Sequence, residues 1–360
     1  LNAEEIKTML TKRNLPEPKV EKADLLSTGS TVLNMACTGD PTGGYVKGHY
    51  FFYVGDSDSG KSWLMLSALA EASINPEFDE YRLIYDNVEN KALMDVKHFF
   101  GRKLADRLKP PASDDNGNPV CSRTTEEFYY HLHDLLEQGP CIYVLDSQDG
   151  LSSVMEEEGF EKRKAAHEKS KAAPGIMSDG KAKVHSANLR RILGPLRDTR
   201  SILLIVNQTR DTMSLFEGKS YSGGHALKFY STLQLWSAVD GQIERQYRGK
   251  KRQIGVRCKI KVRKNHVTGR GRTVVIPILH ASGVDDVGSC VDWLVAEGVW
   301  KSEKGRITVS GLGPQFSGNR EQVVEEIEGR EMEDDLRELL AREWKDIDCN
   351  SGVKRKPRYG

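Results

Sequence analysis

The 360-residue sequence has 6 cysteines but no Cys-x-x-Cys pair, no signal peptide and no internal repeat. It also lacks any apolar run of the roughly 18 residues that a membrane-spanning helix needs. Each absence removes a class of protein. Cys37, Cys121, Cys141, Cys258, Cys290 and Cys349 are scattered, which argues against a zinc site or disulfide framework and fits a reducing compartment. Without an apolar run or signal peptide, the chain reads as soluble and cytoplasmic, with no membrane partner. Net charge is nearly absent too: 53 Lys and Arg against 52 Asp and Glu leave +1, so only the distribution of charge can point to a partner. The length allows one large domain or two smaller ones.

What is present is alternation. The segments "HYFFYVG" (49–55), "YRLIYDN" (81–87), "PCIYVLDS" (140–147) and "SILLIVNQ" (201–208) are short, apolar and nearly unbroken, as strands buried on both faces are. Helical patterns at 60–73, 92–108, 124–137 and 184–197 separate them. That order predicts an α/β fold with a largely parallel sheet flanked by helices and right-handed crossovers. Further strands are predicted near 231–238, 254–264 and 273–280. A helical stretch over 2–13 precedes a Pro- and Lys-rich linker, and a helical, acidic part begins near 284.

Between the first strand and its helix lies "GDSDSGKSW" (55–63), which matches Gly-x-x-x-x-Gly-Lys-Ser in the context that a phosphate loop requires. Gly55, Asp56, Ser57, Asp58, Ser59 and Gly60 would present backbone N–H groups to phosphate oxygens, with Trp63 adjoining. Lys61 would reach the β- and γ-phosphates of ATP, and the Ser62 hydroxyl would ligate Mg²⁺. The side chains of Asp56 and Asp58 are expected to face solvent, away from the polyanion. Asp146, ending a buried strand, would hold the metal through water. A carboxylate must also orient and deprotonate water, and "YDNVEN" offers Asp86 and Glu89, of which Glu89 is preferred.

With these motifs in this order, the chain resembles the RecA family of DNA strand-exchange proteins, notably the UvsX-like members of tailed phages. "LLSTGSTVLNMACTG" (25–39), "LLIVNQTR" (203–210), "SGGHALKFY" (222–230) and "KVRKNHVTGRGR" (261–272) carry the resemblance across about residues 25–300. It implies a RecA-like ATPase core over 25–283, an N-terminal polymerisation helix and linker over 1–24, a small α+β lobe over 284–348, and a basic tail over 349–360. It makes Gln208 the γ-phosphate sensor, and Lys264 a cation acting on the ATP of the adjacent subunit. The second such cation position is held by His266. Lys228, Phe229 and Lys264 would lie at the filament interface. The family places one residue between the strand-end Asp and the catalytic Glu. Here Asn87 and Val88 intervene, so either the loop bulges or Glu89 is displaced.

The resemblance also implies two DNA-binding loops, at about 155–183 and 209–222. Residues 162–191 hold nine Lys or Arg against two acids, and Ile176 and Met177 could wedge between bases. Arg190 and Arg191 fall where the following helix is expected to start. The second loop offers Arg210, Met213, Phe216, Lys219 and Tyr221, closed by Gly223 and Gly224. From Arg245 to Arg272 there are twelve Lys or Arg and no acid, and "RQYRGKKRQ" (245–253) reads either as a solvated β-ribbon or as part of a secondary DNA groove.

The function implied is ATP-dependent homologous recombination. Helical filaments on single-stranded DNA would pair it with homologous duplex, with DNA-stimulated ATP hydrolysis, in the cytoplasm of a bacterial or phage-infected cell. Mediator and single-strand-binding proteins are possible partners. The alternatives are a RecA-like hexameric helicase and an ATP-gated DNA scaffold with little hydrolysis.

Overall fold

Strands that read as apolar on both sides form the parallel centre of a ten-stranded sheet. The computed structural model describes residues 20–90, 93–168, 180–211, 219–313, 315–352 and 355. The expected helix at 2–13 therefore lies outside the described residues, as does most of the tail. In chain order the main elements are α1 (Thr31–Thr38), β1 (Tyr50–Gly55), α2 (Lys61–Ile74), β2 (Arg82–Asn87), α3 (Val96–Arg107) and α4 (Thr125–Glu137). They continue with β3 (Cys141–Asp146), α5 (Val154–Glu168), α6 (Lys181–Asp198), β4 (Ile202–Asp211), β5 (Lys219–Tyr221) and α7 (His225–Tyr230). Next come β6 (Leu233–Tyr247), β7 (Lys250–Asn265), β8 (Arg272–Leu279), α8 (Asp286–Ala296), α9 (Arg320–Gly329) and α10 (Glu333–Asn350).

Spatial order along the sheet is β8–β7–β6–β1–β4–β3–β2. The run from β6 to β2 is parallel, and β7 and β8 join antiparallel. All six residues of β1 are buried. Because side chains alternate along a strand, Phe51 and Tyr53 enter one core cluster, while Tyr50, Phe52 and Val54 enter the other. The first cluster is covered by α1 and α2, and the second by α4, α6 and α7 through Leu132, Leu189, Ile192 and Leu227.

The part expected as a separate lobe from 284 shares the first cluster. Cys290, Val291 and Leu294 of α8 and Leu336, Leu340 and Trp344 of α10 are buried with the sheet residues, and Trp293 stacks on Trp344 with centroids 5.0 Å apart. On α9, Val323 and Ile327 are buried, while Val324 is only partly buried. Asp286, at the start of α8, accepts from the Thr31 backbone N–H (2.6 Å) and hydroxyl (2.8 Å), so it caps α1 from across the interface. After α8 comes a small three-stranded sheet of Lys301–Glu303, Arg306–Val309 and Phe316–Gly318.

Two boundaries differ in ways that matter for the site. The strands predicted at 231–238 and 254–264 extend into one long ribbon, paired from Leu233↔Asn265 to Tyr247↔Lys250. The first part of the expected loop at 155–183 is the helix α5, and α6 begins at Lys181.

Candidate nucleotide site

β1 ends at Gly55, the chain turns through Asp56–Gly60, and α2 starts at Lys61. The turn demands its glycines. Gly60 has φ 80°, and a Cβ there would fall 2.8 Å from Cys258 Sγ, while a Cβ on Gly55 would collide with Ser237 Oγ. Ser59 pins the turn by donating to Asp56 O at 2.7 Å and sharing a 2.8 Å hydrogen bond with Ser237. The loop is thus moulded against β6 and β7, the strands on the far side of β1 from β4.

Lys61 is buried, and its ammonium donates to the carbonyls of Gly55 (2.9 Å) and Asp56. Burial pushes its pKa below the ordinary lysine value, against the opposing pull of Asp146, Asp56 and Glu89. A cation poised in a ring of carboxylates at a helix N-terminus suits a polyphosphate with its metal. Asp58 is exposed, as expected. Asp56 is not turned to solvent: its carboxylate accepts from the Thr209 hydroxyl, the first residue after Gln208.

Ser62 and Asp146 supply the hard oxygen donors that Mg²⁺ prefers. Tyr85 lies between them. Its hydroxyl donates to Asp146 Oδ2 at 2.7 Å and is also hydrogen-bonded by Ser62, and burial raises its pKa well above the ordinary value. Tyr85 escaped the sequence reading because an aromatic residue inside an apolar run carries no signal of its own.

Strand alternation separates the two candidate bases. Tyr85 and Asn87 face the P-loop side, so Asp86 faces the opposite one. There Asp86 is fully buried and accepts from the Ser122 N–H (3.0 Å), the Ser122 hydroxyl (2.6 Å) and the Tyr143 hydroxyl (2.7 Å). Burial raises its pKa, with those hydrogen bonds opposing. Glu89 reaches the site by a turn. Asn90 N–H donates to Asn87 O at 3.0 Å, with Asn90 at φ 49°. The Glu89 carboxylate then accepts from Ser147 Oγ (2.7 Å) and Gln208 Nε2 (3.0 Å). The extra residue between Asp86 and Glu89 is therefore absorbed by this turn, beyond the paired strand end Asn87↔Asp146.

One cavity of about 760 Å³ is lined by Ser57, Asp58, Gly60, Lys61, Ser62, Trp63, Glu89, Asp146 and Gln208, all singled out from sequence. Trp63 is held there by Phe99 and Phe100, with centroids 5.0 and 5.3 Å away. Residues not anticipated complete the wall: Asn87, Met94 and Ser147, then Val239, Gln242, Gln253, Val256, Ile278 and His280 from β6, β7 and the end of β8. These come from strands far along the chain, and no local pattern marks them.

Lys264 and His266 do not line this cavity. Lys264 donates to the carbonyls of Lys228 (2.8 Å), Phe229 (2.7 Å) and Ser231 (2.6 Å), closing the C-terminal end of α7. Burial lowers its pKa, and Lys228 adds to the shift. Lys228 is exposed, Phe229 is 71% exposed and His266 is exposed.

Ile176, Met177, Met213 and Phe216 lie outside the described residues, as do the side chains of Arg210 and Lys219. Arg190 and Arg191 are exposed but sit mid-way along α6 rather than at its start. Tyr221, expected in the second DNA-binding loop, has its ring against Phe52 (5.1 Å) and Trp236 (6.0 Å), so it anchors the loop stem. Gly223 and Gly224, with φ 86° and 82°, allow the chain to pass close to Leu227, Gln148 and Ala182. A network holds this stem to β4 and β3: Gln208 N–H donates to Asp149 at 2.7 Å, Asn207 Nδ2 donates to Ser222 O at 2.9 Å, and Ser222 Oγ donates to Asp149.

Comparison with known proteins finds similarity to RecA proteins. A model of the RecA N-terminal domain matches residues 169–285. Protein RecA of Chlorobaculum tepidum is 29% identical over 286 residues, covering 78% of this chain and 73% of the relative. Protein RecA of Helicobacter hepaticus is 29% identical over 285 residues, covering 78% and 72%. Protein RecA of Acinetobacter baumannii is 25% identical over 330 residues, covering 88% and 85%.

Proposed function

The chain belongs to the RecA family, and from that premise we propose that it is an ATP-dependent recombinase. In this reading it polymerises on single-stranded DNA, hydrolyses ATP when DNA is bound, and pairs the strand with homologous duplex. The observation that carries the reading is the 3.0 Å hydrogen bond from Gln208 to Glu89, which joins the stem of the second loop to the cavity beside the P-loop.

Mg²⁺–ATP, when bound, supplies a γ-phosphoryl group for transfer to water. The residues of the chain do the rest by position and charge. The turn 55–60 and the start of α2 would hold the phosphates, Lys61 would neutralise their outer end, and Ser62 with Asp146 would hold the metal. Glu89 orients water and accepts its proton. Gln208 is bonded to that same carboxylate, so a contact at the outer phosphate competes with a contact at the base. The competition would be felt at Thr209, on the β4–β5 stem of the second loop.

Assembly would be head-to-tail, an interface that does not close on itself and so extends as a helix. The absence of Lys264 and His266 from the cavity lining supports their acting on a neighbour's nucleotide, with exposed Phe229 beside them at the contact. Loop segments outside the described residues would supply the strand contacts, through Ile176, Met177, Met213 and Phe216. Pairing needs no covalent chemistry on DNA.

The deciding experiment is ATP turnover with and without single-stranded DNA, in the wild type and in Glu89→Gln. A recombinase ATPase gives strong stimulation that falls by about 100-fold or more in the variant, the usual size of a general-base effect. Stimulation that survives moves the base elsewhere, and DNA binding without turnover favours the ATP-gated scaffold.

A further inference from the structure

A short turn after β3 touches both the candidate base and the stem of the second loop. β3 ends at Asp146, and Gln148–Gly150 form a single 3-10 turn just beyond it. Ser147 Oγ donates to the Glu89 carboxylate at 2.7 Å. A Cβ on Gly150 would fall 2.9 Å from Glu89 Cγ and 2.9 Å from Val88 Cγ1, so this turn packs against the one that carries Glu89. Asp149 reaches the other way. Its Oδ2 accepts the backbone N–H of Gln208 at 2.7 Å, and its Oδ1 accepts from the Ser222 hydroxyl.

Gln208 and Ser222 lie on the two sides of the loop stem. The β4–β5 ladder pairs Asp211↔Lys219, Arg210↔Ser220 and Thr209↔Tyr221, and the same register continued would set Gln208 opposite Ser222. The ladder stops there, and side chains take over. Asn207 Nδ2 donates to Ser222 O at 2.9 Å, and the Asp149 carboxylate spans the pair. A carboxylate that accepts a backbone N–H makes a charge-assisted bond, stronger than a neutral rung of the ladder. Gln148, fully buried, backs the same point: its Oε1 lies 3.2 Å from Ser222 Oγ, and a Cβ on Gly223 would come 3.0 Å from its Nε2.

We propose that Asp149 is a positioning residue that clamps both strands of the second-loop stem to the Glu89 turn, a proposal that deepens the recombinase reading and rests on it. The hydrogen bonds close a circuit. Glu89 is joined to Ser147, the turn leads to Asp149, Asp149 holds the Gln208 backbone, and the Gln208 amide returns to Glu89 at 3.0 Å. With its N–H fixed by Asp149, Gln208 starts from a set point that keeps Nε2 within reach of Glu89. Gln208 alone would report on β4. Through Ser222 the clamp adds β5, so a displacement of either strand by bound DNA arrives at one carboxylate. Asp149 is outside the cavity wall, which makes it a positioning group and not a catalytic one.

The test compares the full chain with Asp149→Ala, Asp149→Asn and Ser222→Ala, each checked by thermal unfolding. The readout is the ratio of oligothymidine affinities with and without Mg²⁺ and a non-hydrolysable ATP analogue, a coupling that is usually about 5–150-fold between linked sites. In Asp149→Ala the ratio is expected to fall to within about two-fold of unity, with single-strand stimulation of turnover falling in step. Affinity for the analogue without DNA stays within about two-fold of wild type, since Asp149 is outside the cavity wall. Ser222→Ala lowers the ratio in the same direction, because one strand leaves the clamp. Asp149→Asn retains it: the amide oxygen accepts from Gln208, and the amide nitrogen donates to the Ser222 hydroxyl. A full ratio in folded Asp149→Ala would overturn the proposal, leaving the β4–β5 ladder to carry the coupling. Equal losses in the Asn and Ala variants would overturn it as well, assigning the effect to charge near Asp146. Hydrogen exchange keeps the two readings apart. In the wild type the analogue slows amide exchange across 219–223, and in Asp149→Ala it does not. A wild type whose turnover and DNA affinity show no coupling would sink the recombinase reading, while that exchange contrast still judged the clamp.

Discussion

Gln208 Nε2 sits 3.0 Å from Glu89 Oε1, so the strand that leads into the second loop holds the candidate base of hydrolysis directly. One residue on, the Thr209 hydroxyl donates to Asp56 in the phosphate loop. Two consecutive residues at the loop stem are thus tied to two different walls of the nucleotide cavity.

That double tie separates sensing from anchoring. Gln208→Ala is expected to remove stimulation of turnover by single-stranded DNA, while basal turnover and nucleotide affinity change by no more than a few-fold. Thr209→Val leaves Asp56 without its hydroxyl donor and should weaken nucleotide binding several-fold, with stimulation retained. Titration of a fluorescent nucleotide analogue, with steady-state turnover in parallel, checks both. Loss of stimulation in Thr209→Val and not in Gln208→Ala would reverse the assignment.

Asp86 should behave as a structural acid. Asp86→Ala leaves the buried Ser122 and Tyr143 hydroxyls without their acceptor, at a cost of about 2–4 kcal/mol in unfolding free energy. Denaturant unfolding reads the loss. Nucleotide affinity of the folded fraction should stay within about two-fold of wild type, because Asp86 faces away from the cavity.

Lys264 has a role inside its own chain that any trans role must share. Lys264→Met strips three carbonyls at the end of α7 of their donor and should cost about 1–2 kcal/mol. A trans contribution to hydrolysis would appear as a further defect that scales with assembly. Turnover measured across protein concentrations, beside thermal unfolding of the same variant, separates the two.

His185 gives the protein an acid-side weakness. It is fully buried, and its Nδ1 shares a 2.8 Å hydrogen bond with the Tyr129 hydroxyl. Burial pushes its pKa down to about 3, with Lys181 adding to the shift. The folded pKa lies below the unfolded value, so the unfolded chain binds more protons between those limits. The stability is fully present above about pH 6.5 and is lost as pH falls toward 3. From pH 7 to pH 5 the loss from this group is about 2 kcal/mol. Unfolding midpoints at the two pH values should converge in His185→Gln, and an undiminished pH dependence there would assign the effect elsewhere.

Much of the site could be read before any coordinates, because its parts are local. The turn 55–60 needs glycine at a position with φ 80°, a strand before it and a helix after it, and all three are written within about fifteen residues. The strands β1 to β4 are equally local, since burial on both faces demands an unbroken apolar run. Their sequence sets the parallel α/β core, the P-loop, and the placing of Asp146 at the end of β3 and of Gln208 where β4 stops pairing with β1.

Side-chain meetings across the fold were a different matter. Asp86 and Glu89 are three residues apart, yet pleating sends Asp86 into one core while a turn with Asn90 at φ 49° returns Glu89 to the cavity. Tyr85 lies between Ser62 and Asp146 because β2 and β3 are neighbours, and Asp56 meets Thr209 because β1 and β4 are. Gln242 and Gln253 reach the cavity because β6 packs beside β1, although nearly 200 residues of chain separate them from that strand. Short-range sterics and burial set each strand, helix and turn. Sheet order is a property of the whole chain's packing, and it sets which of these elements touch.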